Sequence, residues 1–123
     1  MKRLYFALAV AIVMAGIILT GTFTVKNAYI EMNTIFRRIE VKAENEEFDK
    51  ALALCEEAEK KWVKYEKELS IFVNHEEVCN IGVSLSAMKP LIEYKEKAEF
   101  FSEINKARTS LTHLVSLEKI NLN

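Results

Sequence analysis

From Leu4 to Val25 the chain runs 22 residues without a charged side chain. As a helix rising about 1.5 Å per residue, this run spans roughly 33 Å, against a bilayer hydrocarbon core of roughly 30 Å. Its hydroxyls, Thr20, Thr22 and Thr24, can bond back to carbonyls of their own helix. The spacing therefore predicts a transmembrane helix over residues 4–25 with the lipid bilayer as its partner. Lys2 and Arg3 precede the run. By the positive-inside rule they keep residues 1–3 in the cytoplasm and send 26–123 across the membrane as an extracytoplasmic domain. Lys26 is a single opposing charge. A cleaved signal peptide has a shorter apolar region, about 7–15 residues, ending at a small-x-small site. Thr20-Gly21-Thr22 is a poor substitute for such a site, so the expectation is an uncleaved anchor. A type IV pilin would need a processing Gly before the run and a Glu just inside it, and neither is present.

Beyond the run, the pattern is helical. The whole chain has three Gly and one Pro, too few breakers for a turn-rich β fold. Lys2 and Arg3 are two of the 17 basic residues, so residues 26–123 carry fifteen against all 18 acidic ones, a net −3. That charge is spread along the domain. It forms neither the basic patch that nucleic acid requires nor an acidic tail.

Four apolar stripes carry 3-and-4 spacing. Tyr29, Met32, Ile35, Phe36, Ile39 and Ala43 form the first, with no breaker between it and the apolar run, which predicts one continuous rod. Asn45 reads as the next N-cap, with Glu46 and Glu47 in the first turn. The stripe that follows is Phe48, Leu52, Cys55, Ala58, Trp62, Tyr65, Leu69 and Phe72, opposite a Glu/Lys-rich face. Phe48–Lys60 is similar to one helix of a tetratricopeptide repeat, but a single copy makes no array. Asn74 reads as the third cap, with Glu77 in capping-box spacing, ahead of Val78, Ile81, Leu85, Met88 and Ile92. Pro90 predicts a kink, since it removes a donor and crowds the Ser86 carbonyl. The last helix is expected from about Lys97 to Lys119 along Phe100, Ile104, Ala107, Leu111, Leu114 and Leu117, after a turn that lacks Gly or a strong cap. The fold class is all-α: a transmembrane helix continuing into an antiparallel three- to four-helix bundle. Either the three later helices close on themselves with the rod as a stalk, or the rod joins them, or two copies pair through it.

Chemistry-bearing residues are sparse. Cys55 lies on its stripe as a small core residue, and Cys79 lies beside its own, accessible enough for an intermolecular disulfide. In an antiparallel hairpin they stand roughly 20 Å apart along the axis, against a Cα limit of about 7 Å for a disulfide. His75 and Cys79 are four apart, but no second Cys/His pair completes a metal site, and His113 is isolated. With no phosphate-binding Gly loop and no activated nucleophile, no metal, cofactor or catalytic residue is expected, and the chain reads as no enzyme.

The densest feature is Trp62, Tyr65, Leu69, Phe72 and His75. It reads either as the core and capped turn of a helical hairpin or as a partner-binding aromatic face. On these residues the chain resembles a family of small bacterial proteins of Firmicutes, domain-of-unknown-function family 4363. That family's pattern places a membrane segment first, then a Trp ahead of Leu-Ser-x-Phe-x-x-His-x-Glu. Here these are Trp62, Leu69, Ser70, Phe72, His75 and Glu77, with Glu76 adjacent. The chain end from Glu118 to Asn123 also fits. Tyr65 stands where the family often carries His, a departure that weakens the case for a paired-His site. The resemblance spans nearly the whole chain and implies a membrane-anchored helical protein of the bacterial cytoplasmic membrane. It implies no activity. The expected function is that of an interaction or structural protein, bound to a second copy of itself or to an envelope protein. The alternative is a ligand-binding or accessory sensory module acting with another membrane protein, since only three residues would remain in the cytoplasm.

Overall fold

A computed structural model describes residues 1–71, 73 and 75–122, with side chains through residue 116. The described residues form four helices: α1 (Lys2–Glu44), α2 (Phe48–Leu69), α3 (His75–Glu93) and α4 (Lys97–Leu122). Each packs against two neighbours in the cyclic order α1–α2–α3–α4–α1. The rod is thus a full member of an antiparallel four-helix bundle, not a stalk beneath a three-helix domain.

The seam residues explain this arrangement. On α1 they are Gly21, Val25, Ala28, Met32, Ile35, Phe36, Ile39 and Ala43; on α2 they include Ala51, Cys55, Ala58, Trp62 and Leu69. On α3 they are Val78, Ile81, Leu85, Met88 and Ile92, and on α4 Phe100, Ile104, Ala107, Leu111 and Leu114. Steps of three and four recur on every helix. Such spacing keeps one stripe of each helix facing its neighbours, as bundle packing requires. On α2 the buried stripe is turned slightly from the expected one. Ala51 and Leu54 are buried, while Phe48, Leu52 and Tyr65 are half-buried at its margin.

Residues 1–20 of α1 are all exposed, and burial begins at Gly21. Among the described residues one helix, α1, is long and apolar enough to cross a membrane. Gly21 and Val25 therefore belong both to the uncharged run and to the bundle seam, and no structural break falls at the expected 25/26 boundary. Within this stretch the Thr20 hydroxyl donates to the Gly16 carbonyl and the Thr24 hydroxyl to the Thr20 carbonyl, each at 2.8 Å.

The helix ends correct several expectations. Asn45 does not cap α2; it closes α1. Glu46 adopts φ 61°, its N–H bonds the Ala43 carbonyl at 3.1 Å, and the Glu47 N–H reaches the Lys42 carbonyl at 2.9 Å. This is a Schellman closure with Glu in the left-handed position where Gly is usual. Residues 45–47 are spent reversing the chain, so α2 starts at Phe48 with only Asp49 acidic in its first turn. The α3–α4 connection repeats the device. Lys95 has φ 57°, its N–H bonds the Ile92 carbonyl at 3.1 Å, and the Glu96 N–H bonds the Leu91 carbonyl at 2.8 Å. At its other end α2 stops at Leu69 instead of continuing through position 72, with the Ser70 hydroxyl on the Lys67 carbonyl at 3.0 Å. α3 runs through Pro90 to Glu93; one turn from the helix end, the missing donor leaves most of the ladder intact. The expected cap Asn74 and the stripe residues Phe72 and Leu117 lie outside the described residues or side chains.

Candidate functional site

The four described residues of the aromatic segment, Trp62, Tyr65, Leu69 and His75, do not form one surface. Trp62 is 1 % exposed and Leu69 fully buried. The Trp62 indole N–H donates to the Val78 carbonyl of α3 at 3.2 Å, which gives this buried polar group its partner. Tyr65 is half-buried at the α1–α2 margin. Phe72 lies outside the described residues. His75 is exposed as the first residue of α3, and its Nε2 stands 3.2 Å from the Cys79 sulfur. Both described aromatics and Leu69 thus serve the bundle's interior or its edge.

Beside Trp62 the α2–α3 surface carries a groove of about 440 Å³ that includes Glu59, Val63, Cys79, Gly82 and Val83. Gly82 stands against the indole edge: a Cβ there would lie 3.6 Å from Trp62 Nε1, an ordinary contact. Val63 and Val83 flank the groove, 54 % and 68 % exposed.

A polar cluster that the sequence reading missed spans α1 and α2. Lys61 Nζ lies 2.8 Å from Glu31 Oε1 and 3.3 Å from Glu57 Oε1, and the Tyr65 hydroxyl donates to Glu31 Oε2. The hydrogen-bonded Lys61 ammonium, then the Tyr65 hydroxyl, holds the Glu31 carboxyl below its usual range. Burial, then the Glu31 carboxylate, pushes the Tyr65 phenol up to about 12. One signal could have found the cluster. Glu31 and the Lys61–Tyr65 turn lie at similar chain distances on either side of Glu47, so an antiparallel hairpin sets them level.

Other groups are dispersed. Cys55 and Cys79 are both free thiols; burial, then Glu59 and Glu56, pushes Cys55 up to about 12, far from a reactive thiolate. His113 is not isolated, since its Nδ1 lies 3.5 Å from Glu77 Oε1. On the α1–α4 seam, Arg108 Nη1 lies 2.9 Å from Glu40 Oε1. Among the described residues no group of three or more His, Cys, Asp or Glu is placed to hold a metal ion.

No curated relative and no solved structure matches the chain. A family model does match, over residues 20–123, and its description is a domain of unknown function, DUF4363. The match begins at the point on α1 where burial begins and covers all four helices of the bundle, and the chain belongs to this family of unknown function.

Proposed function

We propose that this protein is a single-pass membrane protein that holds a four-helix bundle outside the cytoplasmic membrane and acts there by binding a protein partner, without catalysis. The observation that carries the anchor is the exposure of residues 1–20 on a helix that continues unbroken into the bundle. From Leu4 to Thr20 the exposed helix is uncharged; at about 1.5 Å per residue it reaches about 26 Å, most of a hydrocarbon core of roughly 30 Å, and a contiguous apolar surface of that length needs a non-aqueous covering. Lys2 and Arg3 support a cytoplasmic N-terminus. Binding is supported by the α2–α3 groove, whose rim carries the exposed Val63 and Val83.

The test uses an Ala53→Cys reporter on the exposed face of α2, in a Cys79→Ser background. The protein is expected to resist alkaline extraction from membranes, and a membrane-impermeant maleimide is expected to label Cys at position 53 in intact cells. Recovery in the soluble fraction would remove the anchor. Labelling only after permeabilisation would place the bundle on the cytoplasmic side. Photo-cross-linking from position 83 is expected to give discrete protein adducts in membranes.

The same groove supports a second reading, a small-molecule or sensory module working with another membrane protein. A ligand at 100 times its Kd would raise stability by about 2.7 kcal/mol. A melt shift of that size, without cross-linked protein adducts, would favour this reading.

A further inference from the structure

The outward side of α1 and the α2–α3 groove carry opposite charge. On α1, Lys26, Ile30, Thr34, Arg37, Arg38 and Val41 recur at steps of three and four opposite the seam, and all are exposed. Of the acidic residues of α1, Glu31 turns onto Lys61 of α2 and Glu40 onto Arg108 of α4. Glu44 lies beyond Val41 at the helix end. The side from Lys26 to Val41 is therefore basic and partly aliphatic, and Lys26, Arg37 and Arg38 form no ion pair among the described residues.

The groove is the reverse. Glu59 and Glu66 line it without any Lys or Arg, over Trp62 and Gly82 and beside Val63 and Val83. Both carboxylates are half-buried, and neither forms an ion pair among the described residues. Lys60 and Lys67, each next in sequence to one of them, are exposed and lie outside the groove. Lys89, further along α3, is already paired with Glu56.

The two faces also stand at one height. Glu31 contacts both Lys61 and Tyr65, so residue 31 of α1 is level with about residue 63 of the antiparallel α2. Each step along α2 is one step back along α1, which puts Glu66 level with about residue 28 and Glu59 with about residue 35. A second chain anchored in the same bilayer presents its own α1 at these heights. Its Ile30 then stands level with Val63. Its Lys26 lies about 3 Å to the membrane side of Glu66, and its Arg37 about 3 Å beyond Glu59, at about 1.5 Å per residue. Long basic side chains span such offsets while their stems cover apolar surface.

We propose that the α2–α3 groove receives the outward side of α1 from a second copy of this chain in the same membrane, with Ile30 against Val63 and Trp62, Lys26 toward Glu66 and Arg37 toward Glu59. This deepens the membrane-anchored, partner-binding reading above and rests on it. An apolar helix side fills the groove, and the flanking charges set the register. The two faces are different surfaces of one chain, so the contact is heterologous and repeats from copy to copy in the membrane plane, as a ring or a row.

The experiment uses the full chain reconstituted in phosphatidylcholine vesicles, with Ile30→Cys and Val63→Cys made separately in a Cys79→Ser background and treated with a short bis-maleimide. Cys55 is fully buried and stays unreacted under native conditions. The expected result is a cross-linked dimer when the two variants are mixed and none from either alone. Glu59→Arg on the Val63→Cys chain should lower that yield several-fold, and Arg37→Glu on the Ile30→Cys chain should restore it. Dimers from Ile30→Cys alone would overturn the proposal, since α1 would then pair with α1. A mixed dimer indifferent to both charge changes would also overturn it, as chance collision. Without a mixed dimer the proposal fails, while adducts from position 83 to other proteins in native membranes would leave the partner-binding reading standing. Recovery of the chain in the soluble fraction would remove the anchor, and the shared height with it.

Discussion

The Trp62 indole N–H on α2 donates to the Val78 backbone carbonyl on α3, 3.2 Å away across a fully buried seam. Trp62 is the chain's single tryptophan, so its fluorescence reports directly on α2–α3 packing. Trp62→Phe should lose this hydrogen bond and part of the ring volume, about 1–3 kcal/mol, and Trp62→Ala about 3–5 kcal/mol. Thermal unfolding in detergent, followed by far-UV circular dichroism, checks both. A Trp62→Ala variant that melts like the parent would show that the seam does not depend on the indole.

The Glu31–Tyr65 pair links α1 to α2 and titrates at both ends of the pH scale. Glu31 is held below its usual value, so its contribution is present above the unfolded carboxyl range and disappears as pH falls through the lowered folded value. Tyr65 is raised to about 12. Its contribution is complete below about 10, the ordinary tyrosine value, and is lost as pH climbs from there through about 12. Tyr65→Phe should flatten the alkaline loss and lower neutral stability by about 1 kcal/mol. Melts of parent and variant across alkaline pH make the comparison.

Glu46 and Lys95 occupy left-handed backbone positions, at φ 61° and φ 57°. A side chain there costs about 1–2 kcal/mol, part of which is offset by the freedom that glycine gives the unfolded chain. Glu46→Gly and Lys95→Gly should each stabilise the bundle by about 0.5–1 kcal/mol, visible as raised melting temperatures. Unchanged or lowered melting would mean that these side chains make compensating contacts at the turns.

Glu40 and Arg108 join α1 to α4 across the seam that closes the bundle. Arg108 Nε and Nη2 are buried without a hydrogen-bond partner among the described residues. Removing the carboxylate leaves the guanidinium without its partner on α1, whereas an apolar replacement of the arginine removes the demand. Glu40→Ala should therefore cost about 1–2 kcal/mol, discounted for partial exposure, and Arg108→Met less. Equal losses in the two melts would contradict this asymmetry.

Much of the fold is written in local spacing. The α3 stripe from Val78 to Ile92 and the α4 stripe from Phe100 to Leu114 are buried as their periodicity predicts, because a 3-and-4 pattern leaves a helix only one face to hide. The candidate site was less legible. Trp62 and Tyr65 are neighbours on the sequence stripe, yet one is sealed against α3 and the other reaches across to α1. A stripe does not say which of two adjacent helices each margin will face. The turn at residues 45–47 was misread because Asn45 has good N-cap chemistry. The Schellman closure of α1 used that residue first, and only the backbone path shows it.

By itself, the sequence determined that this chain is all-α and carries from Leu4 to Val25 an uncharged run of bilayer length, because both follow from residue order within a single helix. Only the tertiary structure decided that α1 is the fourth member of the bundle and that its seam starts at Gly21. An apolar face requires a cover but does not name it. Gly21 and Val25 are equally suited to lipid and to a protein core, so the helix that packs against them sets where the bundle begins.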